Sequence, residues 1–356
     1  MARIIYGVAG EGFGHSSRSQ LIGQRFIEAG HEVMFVGSDK SLVYLKQYFG
    51  ERVRPIFGLS FAYVDGYVDP VETIKKNLSR LPEANKQNDE LFKQFFKPFK
   101  PDLVVSDFEP FSAWWAFRNG VPFISIDHEH VLTLCKLKHK AKNWFSRMTA
   151  GVVTESYYVG AIAYIILNFF RTGLKIDSAI LAPPIVRPIV TELEPTEGEH
   201  ILLYSTTGKG AERLRSMLSK FDDRRFFIYG FDQVAEFQNC VFKKRSTEGF
   251  LTDLVSCRGV IASAGFSLIS ESLYLKKKML LVPIAGQYEQ MINAYYVEKL
   301  GLGVSAQQLH ERVVERFLTE ADKPMPTNKN ILWPDNNKFF KILQDELNKL
   351  QSPICI

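Results

Sequence analysis

The sequence predicts an α/β fold in two units, and three observations predict it. Short apolar runs of strand type alternate with helical apolar patterns along most of the chain. Three of the strand-to-helix joints are turns rich in glycine and small residues, at 10–16, 205–210 and 263–267. Between Ile180 and Glu199 the rhythm gives way to Pro183-Pro184, Pro188 and Pro195 among acidic and small residues, the composition of a linker. At 356 residues the chain is long for one core and suits two.

Arg3 to Ala9 reads as the first strand, Gly10 to His15 as a glycine-rich loop, and Ser16 to Ala29 as a helix with Leu21, Ile22, Phe26 and Ala29 on its apolar side. Gly30 stops that helix, and His31 to Val36 is the next strand, completing a βαβ unit of the right-handed kind. A helix is expected within Glu83 to Lys97, then a strand Leu103 to Ser106, a helix around Phe111 to Phe117 and a strand Phe123 to Ile126. Beyond the linker, strands are expected at Ile201–Tyr204, Phe226–Tyr229, Val260–Ala262 and Met279–Val282. The tail from Asn336 to Leu350 reads as a helix with Phe339, Phe340, Leu343 and Leu347 on one face. The resulting division is 1–185, 186–335 and a terminal helix in 336–356.

Composition narrows the function classes. A hydrophobic share of 46% and a near-zero mean hydropathy describe a soluble globular protein. The formal charge of +5 suits anionic substrates or a membrane surface and falls short of a nucleic-acid footprint, which needs clustered basic residues and a motif. Cys135, Cys240, Cys257 and Cys355 lie far apart without metal-like spacing, so a reducing, cytoplasmic setting is expected. Met1 to Val8 is too short in apolar residues for a signal segment. Tyr157 to Phe170 is uncharged but shorter than the ~20 residues a spanning helix needs, so a buried element is expected. The alternative is an interfacial segment, because Lys136, Lys138, Lys140, Lys142 and Arg147 alternate with Leu137, Trp144 and Phe145 just upstream, a mixture suited to contact with the inner face of a membrane.

The most informative stretch runs from Gly259 to Gly303. A strand breaks at Ser263-Ala264-Gly265 and restarts as a helix on which Leu268, Ser272 and Leu275 share a face. Small residues there admit a ligand to the backbone, and the N–H groups of the helix start favour a phosphate. Glu271, one turn in, is placed to accept from the vicinal hydroxyls of a ribose; the alternative is a solvated carboxylate or a pair with Lys276 to Lys278. Met279 to Pro283 is a second buried-strand run. It leads into Gly286-Gln287-Tyr288-Glu289-Gln290, where Gln and Glu suit sugar hydroxyls at the carboxyl end of a strand.

The pattern of Gly265-Phe266-Ser267, Glu271, Pro283 and Gln287 to Gln290 with Asn293-Ala294 resembles the donor-binding half of GT-B glycosyltransferases. It is most similar to the group that includes UDP-glycosyltransferases and the N-acetylglucosaminyl transferase of peptidoglycan synthesis. The resemblance implies two Rossmann-like domains facing across a cleft, with the terminal helix packing back onto the first. It implies the backbone of Gly265, Phe266 and Ser267 for the diphosphate, Glu271 for the ribose, and Glu289 and Gln290 with Gln287 for the sugar. In the plant-type motif the acidic residue is usually Asp, so Glu289 is a conservative departure.

In the first half, the loop Gly10-Glu11-Gly12-Phe13-Gly14-His15-Ser16-Ser17-Arg18 fits neither a dinucleotide fingerprint nor a P-loop, since it has His15 where a small residue or Lys is needed. Gly12 and Gly14 let an acceptor or the donor's sugar come close, and Arg18 suits a phosphate or a surface carboxylate. Sugar transfer to a hydroxyl needs a base near neutrality, and His15 fits; at a helix start its cation is expected to be disfavoured. A carboxylate would orient the imidazole, Asp107 first and Glu109 in reserve. The His–Asp pair also resembles that of UDP-glycosyltransferases, although some relatives use a loop carboxylate, which keeps Glu11 open. The second half opens with Ser205-Thr206-Thr207-Gly208-Lys209-Gly210, whose hydroxyls, flexible backbone and cation suit a pyrophosphate leaving group. No metal triad or Asp-x-Asp pair stands at a strand end, so no metal is expected.

The expected activity is inverting glycosyl transfer from a UDP- or dTDP-sugar to a small-molecule, saccharide or lipid-linked hydroxyl acceptor, with the nucleotide sugar as co-substrate and no cofactor. The rival readings are a sugar-nucleotide 2-epimerase of the same architecture and a non-catalytic nucleotide-sugar binding protein.

Overall fold

The computed structural model describes all residues except 61, 65–66, 139–159, 207 and 232. The chain divides into two compact units, Met1–Arg187 with Asp335–Ile356, and Pro188–Pro334.

In the first unit the strands are β1 (Arg3–Val8), β2 (Glu32–Gly37), β3 (Val53–Pro55), the short pair β4 (Tyr63–Val64) and β5 (Tyr67–Val68), then β6 (Leu103–Asp107), β7 (Phe123–Asp127), β8 (Ala163–Leu167) and β9 (Ala179–Ala182). Seven of them form a sheet in the order β3-β2-β1-β6-β7-β8-β9, and every pairing in it is parallel. β4 and β5 pair antiparallel apart from it. Parallel strands are covered on both faces, which is why every residue of β6, β7 and β8 is buried.

The strand order reverses between β1 and β6. In open α/β sheets the crevice outside the carboxyl ends at such a switch point is where ligands bind. The β1–β6 register sets Val8 opposite Asp107, so the loop after β1 and the end of β6 meet there. Close packing helps: a Cβ on Gly7 of β1 would stand 2.1 Å from the Ser112 hydroxyl, so only glycine lets the helix Pro110–Arg118 begin this near the strand.

The helix expected within Glu83 to Lys97 instead covers Pro70–Leu91, runs through Pro82, and is followed by a π-type turn, Phe92–Phe96. Its start is fixed by Asp69, whose carboxylate accepts from the Val71 and Glu72 N–H groups, with Pro70 in the first turn. The other correction concerns the linker: its first residues belong to β9, which pairs with β8. The segment Tyr157 to Phe170 contains β8, fully buried in the sheet. Its first three residues, and most of the basic and aromatic stretch before it, lie outside the described residues.

The chain returns to the first unit through the helix Asn336–Leu347, capped by Asp335, with Phe339, Leu343 and Leu347 buried. Phe340, expected on the same face, is instead partly exposed beneath the Arg25 guanidinium, 5.5 Å from its ring centre. The Asn336 amide donates to Val186 O and accepts from Val186 N, tying the helix start to the segment that leaves the unit.

The second unit holds β10 (Ile201–Tyr204), β11 (Phe226–Tyr229), β12 (Ala235–Phe237), β13 (Cys240–Phe242), β14 (Gly259–Ala262), β15 (Lys278–Leu281) and β16 (Gly303–Ser305). They form one sheet in the order β12-β13-β11-β10-β14-β15-β16, parallel except at the β12 edge. Its core gathers Ile201, Leu203, Phe226, Ile228, Ile261, Leu280 and Phe317. Here the order reverses between β10 and β14. Among the described residues no helix is long and apolar enough to cross a membrane.

Phe339 is fully buried, so Phe339→Ala should destabilise the first unit by about 3–5 kcal/mol. Urea unfolding followed by intrinsic fluorescence checks this; an unchanged midpoint would mean the terminal helix contributes little.

Candidate functional site

At the switch point of the first unit a charged network forms around Asp107, which is completely buried at the end of β6. A buried carboxylate is costly unless donors surround it. Arg18 supplies Nε to Oδ2 at 2.6 Å and Nη2 to Oδ1 at 2.5 Å. The Ser19 hydroxyl donates to Oδ2 at 3.0 Å, and His15 Nδ1 lies 2.7 Å from Oδ1. All three residues stand on the first turns of the helix Phe13–Glu28, which begins after Gly12, at φ 77.

A second carboxylate completes the network. Glu129, two residues past β7, brings Oε1 to 3.2 Å from His15 Nε2 and Oε2 to 3.3 Å from Arg18 Nη2. The imidazole is thus held between Asp107 on one nitrogen and Glu129 on the other. Arg18 Nη2 also comes within 2.8 Å of His15 Nδ1, an approach of two cations that the Asp107 carboxylate between them makes tolerable. Phe108, at φ 54, takes a backbone conformation rare for a bulky residue and stacks on His15 with ring centres 6.4 Å apart. The Phe108 ring also meets His130 edge-on, and His130 is paired with Asp127 at 2.7 Å.

The protonation state of His15 differs from the sequence expectation. Burial by itself would push the imidazole down, but the charges of Glu129 and Asp107 outweigh burial and Arg18 and raise it to about 10. The helix start was expected to disfavour the cation; two carboxylates within hydrogen-bond reach are the stronger field. Glu129 shifts the other way, well below its ordinary range: burial opposes the shift, and the His15 and Arg18 charges overcome it.

In the second unit the turns after β10, β14 and β15 stand side by side and are cross-linked. The Thr206 and Ser263 hydroxyls are 3.1 Å apart. The Gln290 side-chain oxygen accepts from Ala264 N at 3.2 Å and Ile284 N at 3.0 Å, while its nitrogen donates to Gln287 Oε1. Asn293 Nδ2 donates to Ala264 O at 3.1 Å and to Glu289 Oε1 at 3.0 Å. Gln290 and Asn293 are therefore buried ties between two turns.

The helix Phe266–Tyr274 starts at Gly265 with no side-chain cap, and the positive end of a helix favours an anion. Gly265 has an ordinary φ of -70, and a Cβ there would meet nothing within 4 Å. Neither backbone strain nor protein packing requires glycine at this position. Glu271 is buried on the same helix, 7% exposed. The burial also departs from the expected face, since Leu268 is only half-buried while 269–273 are all buried.

The structure joins His15 to Asp107 as the sequence paired them. It engages Arg18 with Asp107 and Glu129, so the guanidinium meets two carboxylates within the unit. Glu109, the reserve partner of His15, caps the helix Pro110–Arg118 by accepting from Phe111 N and Ser112 N. Gly14 is the second residue of the first helix, and Gly208, at φ 64, donates to the Ser205 hydroxyl. Thr207 lies outside the described residues. Glu129 was missed. Its signal was available in Asp127-His128-Glu129-His130, four ionisable groups at the end of a strand beside β6.

No metal-binding triad was expected, yet His15, Asp107 and Glu129 bring ligand atoms within 4.8 Å of one another. The Arg18 guanidinium touches both carboxylates and already supplies the positive charge that such a cluster needs.

Comparison with known proteins places this geometry in context. The family described as Glycosyl transferase family 1 matches residues 2–321. An uncharacterized glycosyltransferase of Methanosarcina acetivorans is 26% identical, with 85% of this chain and 82% of that protein aligned. The UDP-N-acetylglucosamine–N-acetylmuramyl-(pentapeptide) pyrophosphoryl-undecaprenol N-acetylglucosamine transferase 3 of Bacillus cereus is 22% identical, with 98% of each chain covered. Among solved structures, Phytolacca americana UGT2, complexed with UDP-2fluoro-glucose and pterostilbene, superposes with a TM-score of 0.62 at 12% identity, covering 90% of this chain and 93% of that one. The calicheamicin glycosyltransferase CalG4 gives 0.60 at 15%, covering 90% and 92%. These likenesses are of fold, and the fold is GT-B.

Gln290→Leu should leave the Ala264 and Ile284 N–H groups without their acceptor and destabilise the second unit by about 1–3 kcal/mol for each, with faster amide exchange at both positions. For the first unit, the raised His15 cation stabilises the fold fully below its unfolded value of 6.5 and loses that contribution as pH rises through about 10. The stability gap between wild type and His15→Gln, read from urea midpoints, should therefore be wide at pH 6 and narrow by pH 10.

Proposed function

The chain belongs to Glycosyl transferase family 1, and from that premise we propose an inverting, metal-independent glycosyltransferase that moves a sugar from a UDP- or dTDP-sugar to an acceptor hydroxyl. The observation that carries the donor half of this reading is Gly265. It has open space over it, an ordinary backbone and an uncapped helix start behind it. A ligand lying on the backbone gives glycine a reason to be there, and the positive end of the helix dipole makes that ligand an anion.

In this reading the diphosphate rests on the start of the helix Phe266–Tyr274, with Thr206 and Gly208 beside it. Glu271 accepts from the ribose hydroxyls. Gln287 and Glu289 meet the sugar, and Gln290 fixes the spacing of the turns that hold them. Once His15 has lost the proton that its carboxylate partners hold on it, the acceptor hydroxyl gives its proton to the imidazole, oriented by Asp107, as its oxygen attacks the anomeric carbon. The bond from that carbon to the diphosphate oxygen breaks with its electron pair, and helix N–H groups and hydroxyls stabilise the leaving charge. A single displacement inverts the anomeric centre. The donor is a co-substrate, and no cofactor is required.

Support for a nucleotide donor comes from relatives: one structural neighbour is described in complex with UDP-2fluoro-glucose, and the Bacillus cereus relative is named for a UDP-sugar and a pyrophosphoryl-undecaprenol acceptor. A saccharide or lipid-linked acceptor, met in the cytoplasm or at the inner face of a membrane, is the matching choice here.

Gly265→Ala should fold with unchanged stability and yet lower the thermal shift given by the preferred sugar from a panel of UDP- and dTDP-sugars. Glu271→Ala should weaken the same donor about ten- to a hundredfold, the loss of hydrogen bonds to a charged group. His15→Ala should bind it normally and turn over ~10²–10⁴ times more slowly. Wild-type binding of the donor by Gly265→Ala would remove the diphosphate assignment. An epimer formed from the donor alone, seen by NMR, would indicate a 2-epimerase.

A further inference from the structure

Glu129 has no part in the reading above, yet it occupies the face of His15 that catalysis would use. Nδ1 is committed to Asp107 at 2.7 Å, which leaves Nε2 as the atom to receive a proton. Nε2 is covered by Glu129 Oε1 at 3.2 Å. The Glu129 backbone is anchored by the end of β7, and its Oε2 is held by Arg18 Nη2 and by the backbone N–H of His128 at 3.1 Å. With 15% of its side chain exposed, it is the least enclosed of the two carboxylates that flank the ring.

We propose that Glu129 is a gate on the base: it holds His15 Nε2 as an ion pair in the free protein, and the acceptor hydroxyl must take its place before transfer can start. This rests on the glycosyl-transfer reading of the same site. The proton balance is simple. As the acceptor enters, the proton on Nε2 passes to Glu129 and from there to solvent, which leaves the nitrogen lone pair free. That lone pair then takes the acceptor's hydroxyl proton while the new carbon–oxygen bond forms and the diphosphate departs with its electron pair. Re-pairing with Glu129 returns the site to its resting state. The gate keeps water, which cannot make the contacts an acceptor makes, from being activated against the donor.

The groups facing the imidazole are Asp107 from β6, Glu129 from beyond β7 and Arg18 from its own helix. Asp127 and His130 are paired with each other, and His130 meets the Phe108 ring edge-on. Of these, only Glu129 contacts Nε2.

The test is an NMR titration of ¹⁵N-labelled histidine in the whole protein, wild type against Glu129→Gln, together with turnover of a UDP-sugar as a function of pH. The expected result is a His15 titration moved down by more than about one unit in the variant, which is more than tenfold in its protonation equilibrium. The acid limb of the pH–rate profile should move down with it, and donor hydrolysis should rise relative to transfer. If Glu129→Gln does not fold, Glu129→Asp, which withdraws the charge by one methylene, should show the same direction. An unmoved His15 titration in a folded variant, or an unmoved acid limb, overturns the gate. Failure of the wild type to use any sugar nucleotide would overturn the glycosyl-transfer reading, while the titration would still report whether Glu129 sets the state of His15.

Discussion

A carboxylate with no exposure to water sits at the end of β6, and much of the first unit is arranged so that it is never left alone. Asp107 takes hydrogen bonds from Arg18, Ser19 and His15, and those three residues fix how the first helix meets the sheet. Their spacing puts them on successive positions of one helical face, so a single rigid element delivers all of them. The parallel register of β1 against β6 does the rest, since it sets the loop that feeds the helix beside the carboxylate it must neutralise. Charge that would be expensive to bury alone becomes affordable because donors and a second carboxylate arrive together.

The second unit solves a related problem with neutral groups. Its three turns are held by an amide network in which Gln290 accepts from two backbone N–H groups and Asn293 donates to two oxygens. Neutral ties cost less to bury than ions and leave the local field to the helix start behind Gly265. That suits a place where the guest carries the charge. The first unit, by contrast, is already charged before any guest arrives.

Much of this was legible in the sequence because it depends on local pattern. The alternation of strand and helix and the three small-residue turns follow from periodicity and chain order, while the pairing of a histidine at one strand end with an aspartate at another follows from the needs of an imidazole base and from the family resemblance. What stayed hidden depends on neighbours that periodicity does not report. Arg18 looked available because its distance from Asp107 is 89 positions in sequence, yet one hydrogen bond in space. Glu129 lay in a run of ionisable residues whose side chains point to different places: His128 to the Leu167 carbonyl, His130 to Asp127, and Glu129 alone to His15. The protonation of His15 follows from that contact together with the one to Asp107. The long helix beginning at Pro70 was expected only within Glu83 to Lys97, although the cap at Asp69 marks its start.

The return of the terminal helix has a consequence for biosynthesis. The first unit is built from two stretches of chain separated by the whole of the second, and its last helix, with Phe339 buried, is made after the second unit. On the ribosome the leading sheet must therefore wait, with that apolar surface uncovered, while some 147 residues, from Pro188 to Pro334, emerge and fold. Chain order therefore sets the order of maturation: the second unit can fold first, and the first closes once the helix Asn336–Leu347 has emerged.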